Sequence, residues 1–210
     1  MKSKLIVFGA TGGTGKQVLE QAIERGYSAT AFVRTPEKVE IKHPNLKVVQ
    51  GDVLNYKDVV NVIQGHLNVI CCLGVSPLNK SKLRTIGTQN IVKSMQEKKV
   101  KRFICQASLG YGETKNLQPW HYKYILTPLL LKHTFNDHIS QEIIVEKSDL
   151  DWTIVRPGNL TNGKRTEEYL HGFPPSFNVR FKISRADVAH FMLNQIEDQQ
   201  YIGQKVGLSY

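Results

Sequence analysis

Glycines stand at 9, 12 and 15 in the run Gly9-Ala10-Thr11-Gly12-Gly13-Thr14-Gly15, which follows the apolar stretch Leu5 to Phe8 and opens an amphipathic one. A tight turn out of a strand calls for Gly9. Close approach of a phosphate to bare backbone calls for Gly12, and helix-on-strand packing calls for no side chain at Gly15. Free N–H groups at the helix N-terminus, with Thr11, Gly13 and Thr14 in the turn, can then receive a pyrophosphate. Arg34 ends the second apolar run, nineteen positions after Gly15. A protein selective for NAD usually carries an acidic residue there to bind the ribose 2′-hydroxyl. A planar guanidinium suits a 2′-phosphate instead, and Lys38 in the same loop adds a second positive charge. The cofactor these residues call for is NADPH/NADP.

Asp52 after the third apolar run and Leu73-Gly74 after the fourth fall at successive strand ends, where adenine and ribose would lie. Turn chemistry alone would also explain them. A carbonyl reductase of this general kind needs a proton donor, usually a Tyr with a Lys four residues later that lowers its pKa. Tyr111 and Lys115 have that spacing, but they lie in a Gly-flanked loop just after Ser108 and not on a helix, so their side chains need not share a face. Tyr122 and Tyr124 have Leu126 and Pro128 at the fourth position on. Without a strong acid, hydride transfer suits acceptors that stabilise the incoming electron pair themselves: flavins, quinones and conjugated tetrapyrroles. The protein's part is then to stack a flat acceptor on the nicotinamide and exclude bulk water. Trp120, Tyr122 and Tyr124 have the shape for such a platform, or for local packing of their own loop.

These residues are positioned by short β-branched runs alternating with amphipathic stretches. Strands are expected at Leu5–Phe8, Ala29–Val33, Lys47–Gln50, Val69–Leu73, Phe103–Gln106 and Trp152–Val155, each buried on both faces. Helices are expected over roughly Thr14–Arg25, Asn55–Gln64, Lys82–Lys98, Asn136–Lys147 and Ser184–Glu197. Ser184 with Asp187 reads as an N-cap, and Gly26 as a C-terminal stop. The alternation implies an α/β, Rossmann-like, doubly wound parallel sheet, with residues 1–210 forming a single domain. The irregular aromatic segment 109–135 after the fifth strand is the expected substrate loop.

The 210 residues, 40% hydrophobic and 22% charged, suffice for one core without disulfides or metals, so no metal site is expected. The apolar run after Lys2 and Lys4 stops at Gly9, and Ile125 to Leu131 is broken by Thr127 and Pro128, so neither export nor membrane insertion is expected. Cys71, Cys72 and Cys105 sit in apolar runs as small hydrophobes, which suits the reducing cytoplasm. The net charge of +10 is spread along the chain. Its one dense run, Lys98, Lys99, Lys101 and Arg102, reads as a solvated helix end, so a nucleic-acid partner is not expected. The expected partner is a small flat acceptor, and the expected state a monomer or weak dimer.

The Gly9–Gly15 turn, Val33-Arg34, Gly51-Asp52-Val53-Leu54, Leu73-Gly74, Asn90-Ile91-Val92, Asn136-Asp137-His138-Ile139, Ile183-Ser184 and His190-Phe191-Met192-Leu193 together resemble the NmrA-like branch of atypical short-chain dehydrogenases. Within that branch the pattern is most similar to the NADPH-dependent flavin and biliverdin-IXβ reductases. The resemblance implies that Thr11, Gly12, Thr14, Arg34, Lys38, Asp52, Val53, Leu73 and Gly74 line NADPH. It sets Ser108 beside the nicotinamide and the acceptor and His138 near the pocket, which makes these two the candidate catalytic residues; Pro157, Asn159 and Leu160 are further candidates for cofactor binding. The stretch Arg156-Pro157-Gly158-Asn159-Leu160 follows the wider branch, with Asn159 where the reductases have a histidine, and the 109–135 loop also departs from them. Both departures fall at the acceptor face. Two functions therefore stand: a reductase of flat conjugated acceptors, and a non-catalytic NADP(H) sensor. A sugar-nucleotide epimerase is disfavoured by the absent dyad.

Overall fold

The computed structural model describes residues 3–76, 79, 81–121, 123–124, 131–174 and 177–210. In chain order the elements are β1 (Lys4–Phe8), α1 (Gly13–Glu24), β2 (Ser28–Val33), β3 (Leu46–Gln50), α2 (Tyr56–Ile63), β4 (Asn68–Cys71), α3 (Leu83–Glu97) and β5 (Arg102–Gln106). There follow α4 (Lys132–Glu146), β6 (Asp151–Pro157), β7 (Asn159–Thr161), β8 (Leu170–His171), β9 (Lys182–Ser184), α5 (Arg185–Asn194) and β10 (Gln204–Ser209). The main sheet runs β3-β2-β1-β4-β5-β6-β10-β8 and is parallel apart from the β8/β10 pair; β7 and β9 form a small second sheet. This is the doubly wound order. Its reversal point lies between β1 and β4, and a crevice opens there at the strands' C-terminal ends.

Alternation along β1 feeds both layers. Leu5 and Val7 pack with Val18 and Leu19 of α1 and Val188 and Met192 of α5. Ile6 and Phe8 face Val59 and Ile63 of α2, Ile91 and Met95 of α3, and Val145 of α4. All four β1 residues are fully buried, each worth about 1.5–3 kcal/mol of transfer free energy. Helix ends follow the sequence signals. Ser184 Oγ accepts the Asp187 N–H at 2.9 Å, and Gly26, at φ +80°, closes the end of α1 with its N–H on Ile23 O.

The structure departs from the sequence expectation in four places. Because β3 ends the sheet with β2 as its one neighbour, Lys47 and Gln50 are exposed and Val48 is 37% exposed, so this strand is not buried on both faces. β10, β7, β8 and β9 carry too few consecutive apolar residues to announce themselves. α4 begins at Lys132, four residues before the expected start. The basic run is not wholly solvated either. Arg102 folds inward, where its Nε donates to Gln195 O at 2.9 Å and Nη1 to Asp151 O at 2.7 Å, and burial lowers its pKa to about 10. The three cysteines are free and buried, with Cys71 and Cys105 level on β4 and β5.

Candidate functional site

The C-terminal strand edge holds a cleft of about 430 Å³, floored by residues 9–14 and walled by Arg34 after β2, Val53 after β3, Leu73 and Gly74 after β4, and Ser108 after β5. Pro157 and Leu160 close the far side, and His138 reaches in from α4. At the floor, Gly9 takes φ +77°, and a Cβ there would stand 2.3 Å from Cys72 O. A Cβ at Gly15 would stand 2.2 Å from Gly9 O, so the turn packs against the first helix only through glycine. Gly12 caps α1 without a side-chain bond, and the first turn of α1 carries no acidic residue. Its N–H groups therefore face the cleft with the positive end of the helix dipole. Arg34 stands exposed at the rim with its carbonyl held by Gln50. A phosphate cradle of bare amides with a guanidinium one strand away fits a dinucleotide bearing a 2′-phosphate.

Several predicted residues lie elsewhere. Asp52 is outside the cleft; its Oδ1 accepts the Leu54 N–H at 3.0 Å in a local turn. Lys38 is exposed in the short 3₁₀ turn Pro36–Lys38, and Asn159 lies in β7 between two residues that do line the cleft. Trp120 and Tyr124 are 69% and 68% exposed, and neither lines the cleft; Tyr122 lies outside the described residues. The reason is local. After Ser108 the chain turns inward through Gly110, at φ +103°, whose N–H donates to Thr114 Oγ1, so Tyr111 is buried while Trp120 emerges on the surface.

The end of the cleft at Ser108 and His138 lacks a ready acid among the described residues. Tyr111 donates its hydroxyl to Glu142 Oε1 at 2.7 Å. Burial and the Glu142 charge push its pKa far above the ordinary tyrosine value. Lys115 is exposed, so the two form no dyad. Glu142 also takes Arg156 Nε at 2.7 Å and a second bond from Nη2, while Arg156 Nη1 bonds Glu113. Burial opposes the Arg156 charge, but Glu142 outweighs it and raises the pKa. Ser108 Oγ donates to Leu109 O at 3.0 Å. His138 is buried under the Tyr111 ring, centroids 6.0 Å apart, and burial followed by the Arg84 charge lowers its pKa to about 3. A neutral imidazole offers a lone pair, not a proton, at neutral pH. On the other side of Tyr111 a smaller cavity of about 280 Å³ is lined by Lys115, Lys123 and Lys132.

A model of the NAD(P)H-binding family matches residues 9–199, most of the chain. The chain belongs to this family. It is 31% identical over 172 residues to an uncharacterized chloroplastic protein of Arabidopsis thaliana, covering 78% of this chain and 61% of the relative. The chain thus spans about three fifths of that relative's length, and only 32% of the next, a 3-beta-hydroxysteroid dehydrogenase of Mycolicibacterium neoaurum. Among solved structures, an anaerobillin reductase, ChuY, from Escherichia coli O157:H7 superposes with a TM-score of 0.80 at 20% identity, covering 99% of this chain and 97% of that one. A short-chain dehydrogenase/reductase of Veillonella parvula in complex with NADP superposes with a TM-score of 0.79 at 17% identity, over 100% and 95% of the two chains. Both likenesses are of fold. Membership of the NAD(P)H-binding family makes a nicotinamide dinucleotide the chain's cofactor.

Sequence reasoning missed two arginines in the cleft. Arg185, first residue of α5, lies across the turn: a Cβ on Gly13 would meet its Cδ at 2.5 Å, and Nη1 holds Asn162 Oδ1 at 2.6 Å. It brings a second cation to the phosphate end. Arg84, at the start of α3, lines the other end. Neither carries a motif. Each follows a helix start, and a basic residue in a first turn, where the dipole disfavours it, is the one signal that could have marked them.

Proposed function

We propose that the protein is an NADPH-dependent reductase of flat, conjugated acceptors, and that the observation carrying this reading is the combination of a complete phosphate cradle with an acceptor end that holds no free acid among the described residues. Bound NADPH supplies a hydride. Ser108, whose own proton is engaged with Leu109 O, can accept a hydrogen bond and position the nicotinamide or the acceptor edge. Neutral His138 presents an apolar face and a lone pair. With Tyr111 committed to Glu142, the proton that accompanies the hydride comes from water. Such a site serves acceptors that delocalise the incoming electron pair: flavins, quinones and linear tetrapyrroles. The fold likeness to an anaerobillin reductase lies in the same direction. Arg34 at the rim favours NADPH over NADH.

The test is NADPH oxidation followed at 340 nm with FMN, riboflavin, biliverdin and menadione. Turnover with at least one is expected. If NADPH binds but none of the four is reduced, the reductase reading fails and a non-catalytic NADP(H) sensor replaces it.

A further inference from the structure

Arg84 is 6% exposed, and a guanidinium that deep needs acceptors for five N–H groups. Among the described residues it has one, Asp137 Oδ2, at 3.5 Å from Nη1, which is long for a charge-assisted bond. Nε is buried and has no hydrogen-bond partner among the described residues. Asp137 has little more to give. Its Oδ2 also takes the backbone N–H of Arg84 at 3.2 Å, and its Oδ1 takes the Thr85 N–H at 3.0 Å and the Thr85 hydroxyl at 2.6 Å. The carboxylate is the N-terminal cap of α3 first and a counter-ion second. Consistently, burial lowers the Arg84 pKa in spite of Asp137. A cation so weakly paired is costly in a fold unless something else completes its hydrogen bonds.

What could complete them comes through the cleft. Arg84 lines it together with Ser108 and His138, and Nη2 comes within 3.9 Å of where a Cβ on Gly74 would lie. The neighbouring imidazole adds no charge. Gln141 donates its amide N–H to Thr88 Oγ1 at 3.0 Å, which leaves Gln141 Oε1 to accept from His138 Nδ1 at 3.2 Å and sets the proton on that nitrogen, while burial and the Arg84 charge keep the ring neutral. Arg84 is therefore the cation lining this end among the described residues, while Arg34 and Arg185 belong to the phosphate end. Tyr111, which stacks on His138, also lines the smaller cavity that holds Lys115, Lys123 and Lys132.

We propose that Arg84 is the specificity-determining residue of an oxyanion subsite at the acceptor end, so that the acceptor is a flat conjugated molecule bearing a carboxylate. This rests on the reading of the cleft as a reductase site. The same guanidinium chemistry could serve a cofactor phosphate, and the experiment separates the two sources. Protein saturated with NADP is titrated calorimetrically with 2-naphthoate and with 2-naphthamide, which share a ring and differ in charge. Naphthoate is expected to bind about 10- to 100-fold more tightly than the amide, the effect of one charge-assisted hydrogen-bond pair. In Arg84→Gln the preference should fall below about threefold, with NADP affinity unchanged within the same factor; Arg84→Lys, which keeps the charge without the fork, should keep part of it.

Equal binding of the two rings by the wild type, no binding of either at millimolar concentration, or a preference that survives Arg84→Gln overturns the proposal. So does a tenfold loss of NADP affinity in Arg84→Gln, which would assign the guanidinium to the cofactor. Urea midpoints report whether each variant folds. Should Arg84→Gln not fold, the wild-type comparison and Arg84→Lys decide the matter. Because binding is read without turnover, a naphthoate preference in a protein that oxidises no NADPH would retain the subsite and reject the reductase.

Discussion

The two ends of the cleft are built on different principles. The phosphate end is a backbone device: the Gly9–Gly15 turn, the opening amides of α1 and Arg34 just after β2 come from one stretch of about 26 residues, and glycine does most of the shaping. The acceptor end is a side-chain device, assembled from α3, α4, the segment after β5 and the end of β6, with Arg84, Asp137, Tyr111, Glu142 and Arg156 held by buried polar contacts. A backbone site tolerates surface change and fails when a Cβ is added. A polar network tolerates backbone variation and fails when one partner is removed.

The largest effect should come from breaking the backbone device. Gly9→Val places a branched side chain at φ +77° and against Cys72 O, where even a Cβ would stand at 2.3 Å, so a stability loss of more than about 3 kcal/mol is expected together with loss of NADPH binding. Urea denaturation and cofactor titration read both. A Gly9→Val protein that binds NADPH normally would show that the turn is not the cradle.

The next test addresses the network end through pH. His138 has an ordinary pKa of 6.5 in the unfolded chain and about 3 in the fold, so the native state binds fewer protons between those values. Its contribution to stability is complete above pH 6.5 and is lost progressively as pH falls toward 3. Between pH 7 and 4.5 the wild type should lose about 3 kcal/mol more than His138→Asn does, measured by urea denaturation. Parallel pH profiles for the two proteins would mean that the imidazole is hydrated and not enclosed.

Arg34→Ala sharpens the comparison at the phosphate end. Affinity for NADPH should weaken about 10- to 150-fold, the worth of a bidentate charge-assisted contact, while NADH binding changes little. Equal losses for both would remove the 2′-phosphate assignment. The smallest effect belongs to Ser108, whose hydroxyl already serves Leu109 O. Ser108→Ala should slow acceptor reduction only about 2- to 12-fold, the value of one neutral hydrogen bond, in stopped-flow traces with FMN or menadione. Abolition of hydride transfer would point to a serine-centred proton relay in place of stacking.

The sequence by itself determined what depends on near neighbours along the chain. The strand–turn–helix around Gly9–Gly15, the strands β1 to β6 and the place of Arg34 just after β2 were legible because a period-two or helical repeat and a glycine spacing are local patterns with one backbone solution. The Ser184 cap was legible for the same reason. The tertiary structure decided what depends on the rotation of helices and the order of strands. It brought Arg84 and Arg185 into the cleft from helices some hundred residues apart in the chain and paired Tyr111 with Glu142, not with Lys115. It also turned Tyr111 into the core while leaving Trp120 outside, through the positive φ of Gly110 and the Thr114 hydroxyl. An aromatic or a charge in a loop carries no periodicity, so its direction is set by the partners that packing brings to it, and those are written elsewhere in the chain.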